Sequence, residues 1–469
     1  MSLRPPRGPN LASDIAGQIR QMLLSGLLGP GDRLPSTRAL AADLDVARGT
    51  VVAALETLIA EGFLQTRRGA GTFVETYCQR QAAVLDGPRE PPARTLTITP
   101  DIDPSIAEAL NFQACRPSME AFPQSDWRRA TADAAGRLPS SDYGDPRGEL
   151  ALRIAVASYL CRARGLDVSA DQILITNGAM QAMHVLARVY LTADHAVAME
   201  DPGYPLARQM FATTGAKVIP IAVDEEGFCV DVLPADGGNI KLIYVTPSHQ
   251  FPTGERLSLA RRQALLAFAA RHQALIMEDD YDGEFRYDVP PLPPMAAMSA
   301  GGSVVYFGTF SKTMFPSLRI GYAVGSETLI AEMGAYRAIT DYQTNSLAQL
   351  SLARFIERGE FEKHVHRMRR IYARKRATLA RAIEKSDWAA TLCGTDSGLN
   401  ALVRLRGDIN ATSLCDRARL EGIGVTPIAR YTRALNVPDD ALVLGYAALD
   451  EAQIEQGIAM LAAISRHAR

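Results

Sequence analysis

The chain lacks several features that would place it in other classes of protein. Its 469 residues contain no run of about 18 apolar residues, which a membrane-spanning helix needs, and residues 1–7 contain no apolar secretory stretch. The six cysteines include no Cys-x-x-Cys pair, so neither a zinc site nor a disulfide framework is predicted. We therefore expect a cytoplasmic protein with reduced thiols, no metal site and no membrane contact.

A strong charge of either sign is also absent. The 50 Lys and Arg residues nearly balance the 52 Asp and Glu residues, for a formal net charge of −2. That balance argues against bulk nonspecific attraction to nucleic acid, so any DNA contact has to come from a local basic surface. The chain is too long to fold around a single hydrophobic core of ordinary size, and its length predicts roughly three structural units.

The first 75 residues show three helical patterns followed by two short strand patterns. The predicted elements are a helix ending near Gly29, a helix at 36–44 with Ser36 as its N-cap, a helix at about 47–61, and strands at 62–66 and 71–74. Three helices followed by a hairpin are typical of a winged helix-turn-helix, which is a DNA-binding fold.

The third predicted helix carries polar residues at the end that would enter a DNA groove. Arg48 and Thr50 lie at its N-terminal end, where a recognition helix contacts base edges and phosphates. Residues 1–75 contain eight arginines and seven Asp or Glu, so the basic surface is local. The alternative is a helical cap whose arginines are simply solvated. The candidate DNA-binding residues are Arg38, Arg48, Thr50, Arg67 and Arg68.

The remaining chain reads as a linker followed by an α/β domain. The predicted domains are a winged helix at 8–76, a linker at 77–105 and a cofactor-binding domain at 106–469. The linker has no periodicity and contains the breakers of residues 87–92. Apolar runs such as 173–175 and 275–277 then alternate with helical patterns, as in buried, mostly parallel strands. Residues from about 364 to 469 are predicted to form a smaller α/β subdomain.

Lys312 and Arg319 have the spacing and chemistry of a pyridoxal phosphate (PLP) site. Such a site needs an amine that forms a Schiff base with the cofactor aldehyde and a guanidinium that holds the phosphate. Lys312 follows a predicted strand, and Arg319 lies seven residues later. An enzyme-type cofactor site and a DNA reader therefore occur in one polypeptide.

Three further motifs also follow predicted strands, where open α/β sheets bind ligands. The turn at 178–180 begins a helix whose free amides suit a phosphate, and Tyr204 offers an aromatic face to a pyridine ring. Asp279 is the candidate carboxylate for the ring nitrogen, with Tyr281 for the cofactor's phenolic oxygen. Taken singly, each motif has a simpler explanation. The turn at 178–180 also fits a plain strand-to-helix turn, Tyr204 fits core packing, and the acidic residues around Asp279 fit a solvated loop. Their order along the chain favours PLP binding.

These residues resemble those of the fold-type I aminotransferases, over roughly residues 110–465. The motifs at 143–148 (YGDPRG) and 252–254 (PTG) extend the resemblance. It implies a large, mostly parallel-sheet α/β domain and a smaller C-terminal α/β subdomain, with Lys312 as the Schiff-base lysine. The cofactor-binding residues that it implies are Lys312, Asp279, Tyr281, Tyr204, Arg319, Thr309, Gly178, Ala179 and Met180.

Two positions depart from the enzymes of that family. Phe251 stands where an Asn usually precedes Pro-Thr-Gly, and the stretch 443–446 (VLGY) lacks the arginine that usually binds an α-carboxylate. Ordinary transamination of α-amino acids is therefore not expected. Arg430 is the candidate to supply a guanidinium from a different place, with a surface arginine as the alternative.

The N-terminal part is similar to the GntR-type winged helix through the motifs at 25–38, 46–51 and 67–72. Both halves together resemble the MocR/GabR family of bacterial transcription regulators. The resemblance implies a head-to-tail homodimer on double-stranded promoter DNA, in which each winged helix packs over the partner's PLP domain.

The resulting hypothesis is a PLP-dependent, sequence-specific transcription regulator. An amine effector would displace Lys312 from the cofactor, form an external aldimine and reposition the DNA-binding domains. We expect an ω-amino acid such as 4-aminobutyrate or taurine, with Arg430 binding its acid group; PLP itself is a further candidate effector. The alternative is a catalytically active aminotransferase with an appended DNA-binding domain.

Overall fold

The computed structural model describes most of the chain in two units. The described residues are 3–6, 10–67, 69–75, 110–136, 141–287, 292–299, 302–386, 388, 390–407, 409–433 and 438–466. The two units are Met1–Thr97 and Ile98–Arg469. The predicted linker at 77–105 and the candidate Arg68 lie outside the described residues.

The first unit is a winged helix-turn-helix, as predicted. Its elements are helices α1 (Leu11–Leu24), α2 (Thr37–Leu44) and α3 (Arg48–Ala60) and the antiparallel strands β1 (Leu64–Arg67) and β2 (Gly71–Val74). The Asn10 and Ser36 side chains accept hydrogen bonds from the amides of Ser13 and Ala39 and so cap α1 and α2. Apolar residues from all three helices form one buried core, which includes Ile15, Leu40, Leu55 and Val74.

One helix boundary in this unit was predicted wrongly. Helix α1 ends at Leu24, although the expectation placed its end near Gly29. Ser25 caps the helix, and Gly26 takes φ = 75°, a left-handed conformation that stops the helix before the Gly-Pro-Gly signal is reached.

The second unit contains a large α/β domain built on an eight-stranded sheet. The strand order is β4-β11-β10-β9-β8-β5-β6-β7, and the five neighbouring strands from β10 to β6 run parallel. The strands are β4 (Ile173–Thr176), β5 (Ala196–Asp201), β6 (Lys217–Asp224), β7 (Gly227–Phe228), β8 (Ile240–Val245), β9 (Leu275–Asp279), β10 (Val304–Thr309) and β11 (Gly321–Val324). The predicted α/β fold with a mostly parallel sheet is confirmed.

Helices surround this sheet, and apolar clusters fill the spaces between the layers. They are α4 (Gln124–Ala135), α5 (Leu150–Arg164), α6 (Ala179–Tyr190), α7 (Pro205–Ala212), α8 (Leu259–His272), α9 (Met295–Met298), α10 (Glu327–Ala338) and α11 (Ser346–Glu357). The central strands consist almost entirely of buried residues, which is why they appear in the sequence as continuous apolar runs.

A smaller α/β subdomain follows the long helix α12 (Glu360–Lys385). Its elements are β12 (Ala390–Cys393), β13 (Asn400–Leu405), α13 (Ala411–Leu420), β14 (Ile423–Gly424), β15 (Thr426–Pro427), β16 (Ala441–Gly445) and α14 (Glu451–Arg466). A segment from the start of the unit joins it, because β3 (Leu110–Asn111) pairs in parallel with β14. Phe112 lies in the core of this subdomain.

Candidate cofactor and effector site

One cavity of about 330 Å³ lies at the carboxyl ends of the central strands. Strands β9 and β10 end in Asp279 and Thr309, and the small subdomain contributes the turn Ile428–Tyr431. The predicted residues that line the cavity are Lys312, Asp279, Tyr281, Tyr204, Arg319, Thr309, Ala179, Met180 and Arg430. The topology thus brings together motifs that are up to 251 positions apart, from residue 179 to residue 430.

Lys312 is placed by the turn after β10. The Thr309 hydroxyl donates to the Ser311 hydroxyl over 3.1 Å and accepts from the Ser311 amide over 3.2 Å, which closes the turn. Lys312 is half-buried, and its Nζ donates to the backbone carbonyl of Cys115 over 3.0 Å. The primary amine is therefore held inside the cavity and not on the outer surface.

Asp279 is a buried carboxyl group with one unused oxygen. The Tyr244 hydroxyl donates to its Oδ2 over 2.7 Å, whereas Oδ1 has no hydrogen-bond partner among the described residues. Burial raises the pKa of Asp279 to about 7, against the lowering effect of the Tyr244 hydrogen bond. A protonated ring nitrogen would supply the missing donor, so this group fits the pyridine end of PLP.

Tyr281 belongs to a buried polar chain. Its hydroxyl lies 2.9 Å from His249 Nδ1, which in turn lies 3.0 Å from the Asp282 carboxylate. Burial lowers the pKa of His249, but the Asp282 charge and hydrogen bond outweigh burial, so the net pKa is raised. The contacts with His249 and Asp282 thus fix the position of the Tyr281 hydroxyl at the cavity wall.

The turn before helix α6 and the Arg319 guanidinium lie next to each other at the cavity wall. Gly178, at φ = 89°, precedes helix α6, whose first amides have no acceptor within the helix. A Cβ at Gly178 would lie 2.9 Å from the Arg319 guanidinium, and a Cβ at Gly321 would lie 2.7 Å from the Ala179 nitrogen. Free amides beside an arginine suit a phosphate group.

Phe251, the departure noted in the sequence, lies among aromatic side chains. It makes edge-to-face contacts with Tyr204, Tyr281 and Tyr431, with ring centroids 5.9, 5.8 and 5.2 Å apart. A phenylalanine here donates no hydrogen bond and instead packs the cavity wall through its ring. The wall is therefore apolar at a position where the enzymes usually have an amide.

Arg430 lies on a small-subdomain turn that is bonded to the large domain. The Tyr431 carbonyl accepts from the Gly203 amide over 2.9 Å and from Arg208 Nη2 over 2.8 Å. The Arg433 amide donates to Asp201 Oδ1 over 2.8 Å. These bonds hold the turn, and with it the exposed Arg430, at the edge of the cavity.

Several residues of the site gave no recognisable signal in the sequence. Tyr244 looked like part of an apolar strand, and only the fold places its hydroxyl on Asp279. Glu200 is fully buried and accepts bonds from the Thr246 amide and hydroxyl; burial raises its pKa to about 7. His249 lies two residues before Phe251, and no spacing in the sequence pairs it with Asp282. Its pairing with Asp282 joins residues from two different strand ends.

In the winged-helix unit, the candidate DNA-binding side chains lie at the surface. Arg38, Arg48 and Arg67 are exposed, and Thr50 is half-buried. Arg48 Nε donates to the Thr37 hydroxyl over 3.3 Å, and the Arg67 guanidinium carbon lies 4.9 Å from the centre of the Phe73 ring. These contacts orient the arginines without neutralising their charge.

Comparisons with known proteins agree with both halves of the structure. Residues 11–74 match the family of bacterial regulatory proteins of the gntR type, and residues 111–461 match aminotransferase class I and II. A probable rhizopine catabolism regulatory protein MocR from Rhizobium meliloti is 33% identical, over 94% of this chain and 91% of its own length. The chain belongs to the MocR/GabR family.

Within this family, the regulator TauR from Rhodobacter capsulatus is 34% identical, over 97% of each chain. The aminotransferase half also resembles the crystal structure of Pyrococcus horikoshii kynurenine aminotransferase in complex with PMP. That similarity has a TM-score of 0.71 and 28% identity and covers 76% of this chain and 91% of the enzyme. As a MocR/GabR protein, the chain is a DNA-binding transcription regulator with a PLP domain of the aminotransferase type.

Three more features of this MocR/GabR protein bear on the sequence expectations. Among the described residues, Cys115, Cys161, Cys229, Cys393 and Cys415 form no disulfide bond. In the part of the chain that the structure describes, no helix is long and apolar enough to cross a bilayer. In that same part, His, Cys, Asp and Glu side chains form no group of three or more that could hold a metal ion.

Proposed function

We propose that the cavity is a sensor for a small amine that bears an acid group, and that binding of the amine changes the affinity of the protein for promoter DNA. One observation carries this proposal. A primary amine, Lys312, and a buried carboxylate with an unused oxygen, Asp279, share a cavity whose rim bears Arg430.

PLP supplies an aldehyde that bonds reversibly to a primary amine. Lys312 is the amine of this chain that would bond to that aldehyde, and an effector amine would compete with it for the same carbon atom. Asp279 would accept a hydrogen bond from the protonated ring nitrogen, and Tyr281 would hydrogen-bond the phenolic oxygen. Tyr204 would lie against a ring face. Arg319, Thr309 and the turn Gly178, Ala179 and Met180 would hold the phosphate.

We propose that the acid group of the effector is bound by a different residue from the one that the enzymes use. In the stretch 443–446, Val443 and Leu444 are buried apolar residues, so no guanidinium comes from this strand. Arg430 is the proposed anion partner, on the turn that Tyr431 and Arg208 connect to the large domain. Arg430 does not come from the strand whose arginine binds the α-carboxylate in the enzymes. This difference favours an effector whose acid group lies further from its amine, such as 4-aminobutyrate or taurine.

The proposed DNA-binding residues are Arg38, Arg48, Thr50, Arg67 and Arg68. Arg48 and Thr50 begin α3, which is the helix that enters the major groove in this class of domain. We propose further that two chains form a head-to-tail homodimer, so that two winged helices bind repeated half-sites. A ligand shifts the arrangement of these domains only through its different affinity for the two states.

A working aminotransferase is the second candidate, and the complete set of cofactor-type residues favours it. Both candidates are tested by mixing the purified protein with PLP, an amino donor and 2-oxoglutarate. A sensor shows a change in cofactor absorbance that reaches a plateau, with little keto acid. An enzyme produces keto acid steadily, at about 1 per second or faster. Steady production at that rate would overturn the sensor proposal.

A further inference from the structure

Arg116 brings a second exposed guanidinium to the effector cavity. It lines the cavity beside Gln113, Ala114 and Cys115. The side chain has no hydrogen-bond, ion-pair or ring partner among the residues that the structure describes. An arginine keeps its positive charge throughout the usual pH range, so this charge is available to an anion that enters the cavity.

The backbone around Arg116 is anchored on both sides. Before it, the Phe112 carbonyl accepts from the Gly445 amide over 2.7 Å. After it, the Ser118 amide donates to the Tyr372 hydroxyl over 2.9 Å. Phe112, Gly445 and Tyr372 are themselves buried or central in the fold. The arginine is therefore presented from a fixed position and not from a free loop.

The neighbour of Arg116 contacts the amine that the effector would replace. The Cys115 carbonyl accepts the hydrogen bond from Lys312 Nζ, and Cys115 itself holds φ = 62°. A non-glycine residue adopts this left-handed conformation only where the surrounding structure enforces it. The Cys115 carbonyl carbon is bonded to the Arg116 nitrogen. Arg116 therefore follows directly after the carbonyl that contacts the Lys312 amine.

The charges that line the cavity leave Arg116 without a counter-charge. The lining contains four basic side chains, Lys312, Arg319, Arg116 and Arg430, and one acidic side chain, Asp279. In the proposed function, Lys312 bonds to the aldehyde, Arg319 binds the phosphate, Asp279 pairs with the ring nitrogen and Arg430 binds the acid group of the effector. A carboxylate or sulfonate has more than one oxygen, so it can accept hydrogen bonds from Arg430 and from Arg116 together. An acid group on the effector would supply the anion that Arg116 lacks.

We propose that Arg116 binds the carboxylate or sulfonate of the effector and selects amines that carry such a group. The inference rests on the proposed function, and it adds a specificity residue from a part of the chain that precedes the large sheet. The contact is a charge-assisted hydrogen bond, and no group is transferred.

The test compares acid-bearing amines with acid-free amines of the same carbon number on the PLP-loaded full-length protein. The probe pairs are 4-aminobutyrate with n-butylamine and taurine with ethylamine. The readout is the apparent Kd from the change in cofactor absorbance. The variants are Arg116→Gln and Arg116→Lys, with Arg188→Gln as the matched control, because Arg188 is exposed on α6 and does not line the cavity.

We expect Arg116→Gln to weaken binding of the better acid-bearing amine by roughly 10- to 100-fold. Binding of its acid-free partner and the cofactor content should stay within about twofold of wild type. Arg116→Lys should retain part of the preference, and Arg188→Gln all of it. If Arg116→Gln loses the cofactor, Arg116→Lys serves as the test in its place. Arg116→Lys should then prefer the acid-bearing amine, but less strongly than wild type.

Other outcomes separate this inference from the proposed function. If wild type binds both members of each pair equally, or if Arg116→Gln keeps the wild-type preference, the role of Arg116 is wrong although amine sensing stands. If Arg116→Gln and Arg116→Lys lose the preference equally, a charge at this position is not what selects the acid, and the role is again wrong. If no amine changes the cofactor absorbance, the proposed function itself fails.

Discussion

The winged helix and the cavity use arginines and polar groups in opposite ways. In the winged helix, Arg38, Arg48 and Arg67 are exposed, and their contacts are few and long. In the cavity, Asp279 and Tyr281 are buried, hydrogen-bonded and surrounded by groups that alter their pKa values. The arginines of a DNA-binding domain are paired with negative charges only when DNA phosphates bind. The side chains of a cofactor site, in contrast, have to be positioned before the cofactor binds.

This contrast predicts that variants in the two regions have separable effects. The largest is expected for Lys312→Ala. Without the amine, the protein cannot form the covalent bond with PLP, so the absorbance band of the lysine-bound cofactor should disappear completely. DNA affinity measured without effector should remain, because the winged helix has its own core. Absorbance spectra and DNA titrations of Lys312→Ala and Lys217→Ala, an exposed control in β6, check this expectation.

The reverse separation is expected for Arg48→Ala. An arginine that reads a base contributes about 1–3 kcal/mol, so DNA affinity should fall roughly 5- to 150-fold while cofactor absorbance stays unchanged. Arg20→Ala is the matched control, because the Arg20 guanidinium already forms an ion pair with Glu61 at 2.7 Å. Fluorescence anisotropy with a promoter fragment measures both variants. Equal losses in the two would show that the charge of the domain matters and not the position of Arg48.

A smaller effect is expected where the two subdomains meet at the cavity. Arg208→Gln removes the Nη2 donor from the Tyr431 carbonyl, which leaves the Gly203 amide as the remaining donor there. Because one hydrogen bond contributes about 1 kcal/mol, affinity for 4-aminobutyrate or taurine should fall about fivefold. Cofactor affinity should not change. A parallel loss of cofactor would indicate that Arg208 supports the whole cavity and not the Arg430 turn.

The smallest effect is expected in the pH dependence of stability. Burial raises the pKa of Asp279 and of Glu200 to about 7, so folding favours the protonated carboxyl groups. The stability that they contribute is complete below their unfolded pKa values, near 4, and is lost as pH rises through about 7. The Tm of the cofactor-free protein should therefore fall between pH 5 and pH 8.

Asp279→Asn sharpens this prediction, because the amide does not titrate. Its fall in Tm over the same range should be smaller than that of wild type, and Glu200 should account for part of the remainder. Calorimetry at the two pH values measures the difference. An equal fall in both proteins would contradict the raised pKa of Asp279.

The sequence predicted the winged helix, and it singled out residues that the structure places around one cavity, because the signals are local. Each cofactor motif follows an apolar strand, and parallel strands bring such ends to one edge. The exception is the end of α1, where Gly26 stops the helix three residues before Gly29, near which the sequence suggested its end.

The partners within the cavity could not be predicted in the same way. The Tyr244 hydroxyl on Asp279, the carbonyl of Cys115 on Lys312 and the Tyr431 carbonyl on Arg208 join residues far apart in the chain. No spacing in the sequence indicates such pairs. On the effector side, the sequence suggested Arg430, whereas the place of Arg116 in the cavity wall became visible only in the structure.

The most direct test measures DNA affinity of the PLP-loaded protein with and without a saturating amine that changes the cofactor absorbance. DNA affinity should shift by roughly 5- to 150-fold, which is the usual range of coupling between two sites. The shift should be absent in Lys312→Ala. An unchanged DNA affinity in wild type, or an equal shift in Lys312→Ala, would contradict the claim that this cavity controls the DNA-binding domain.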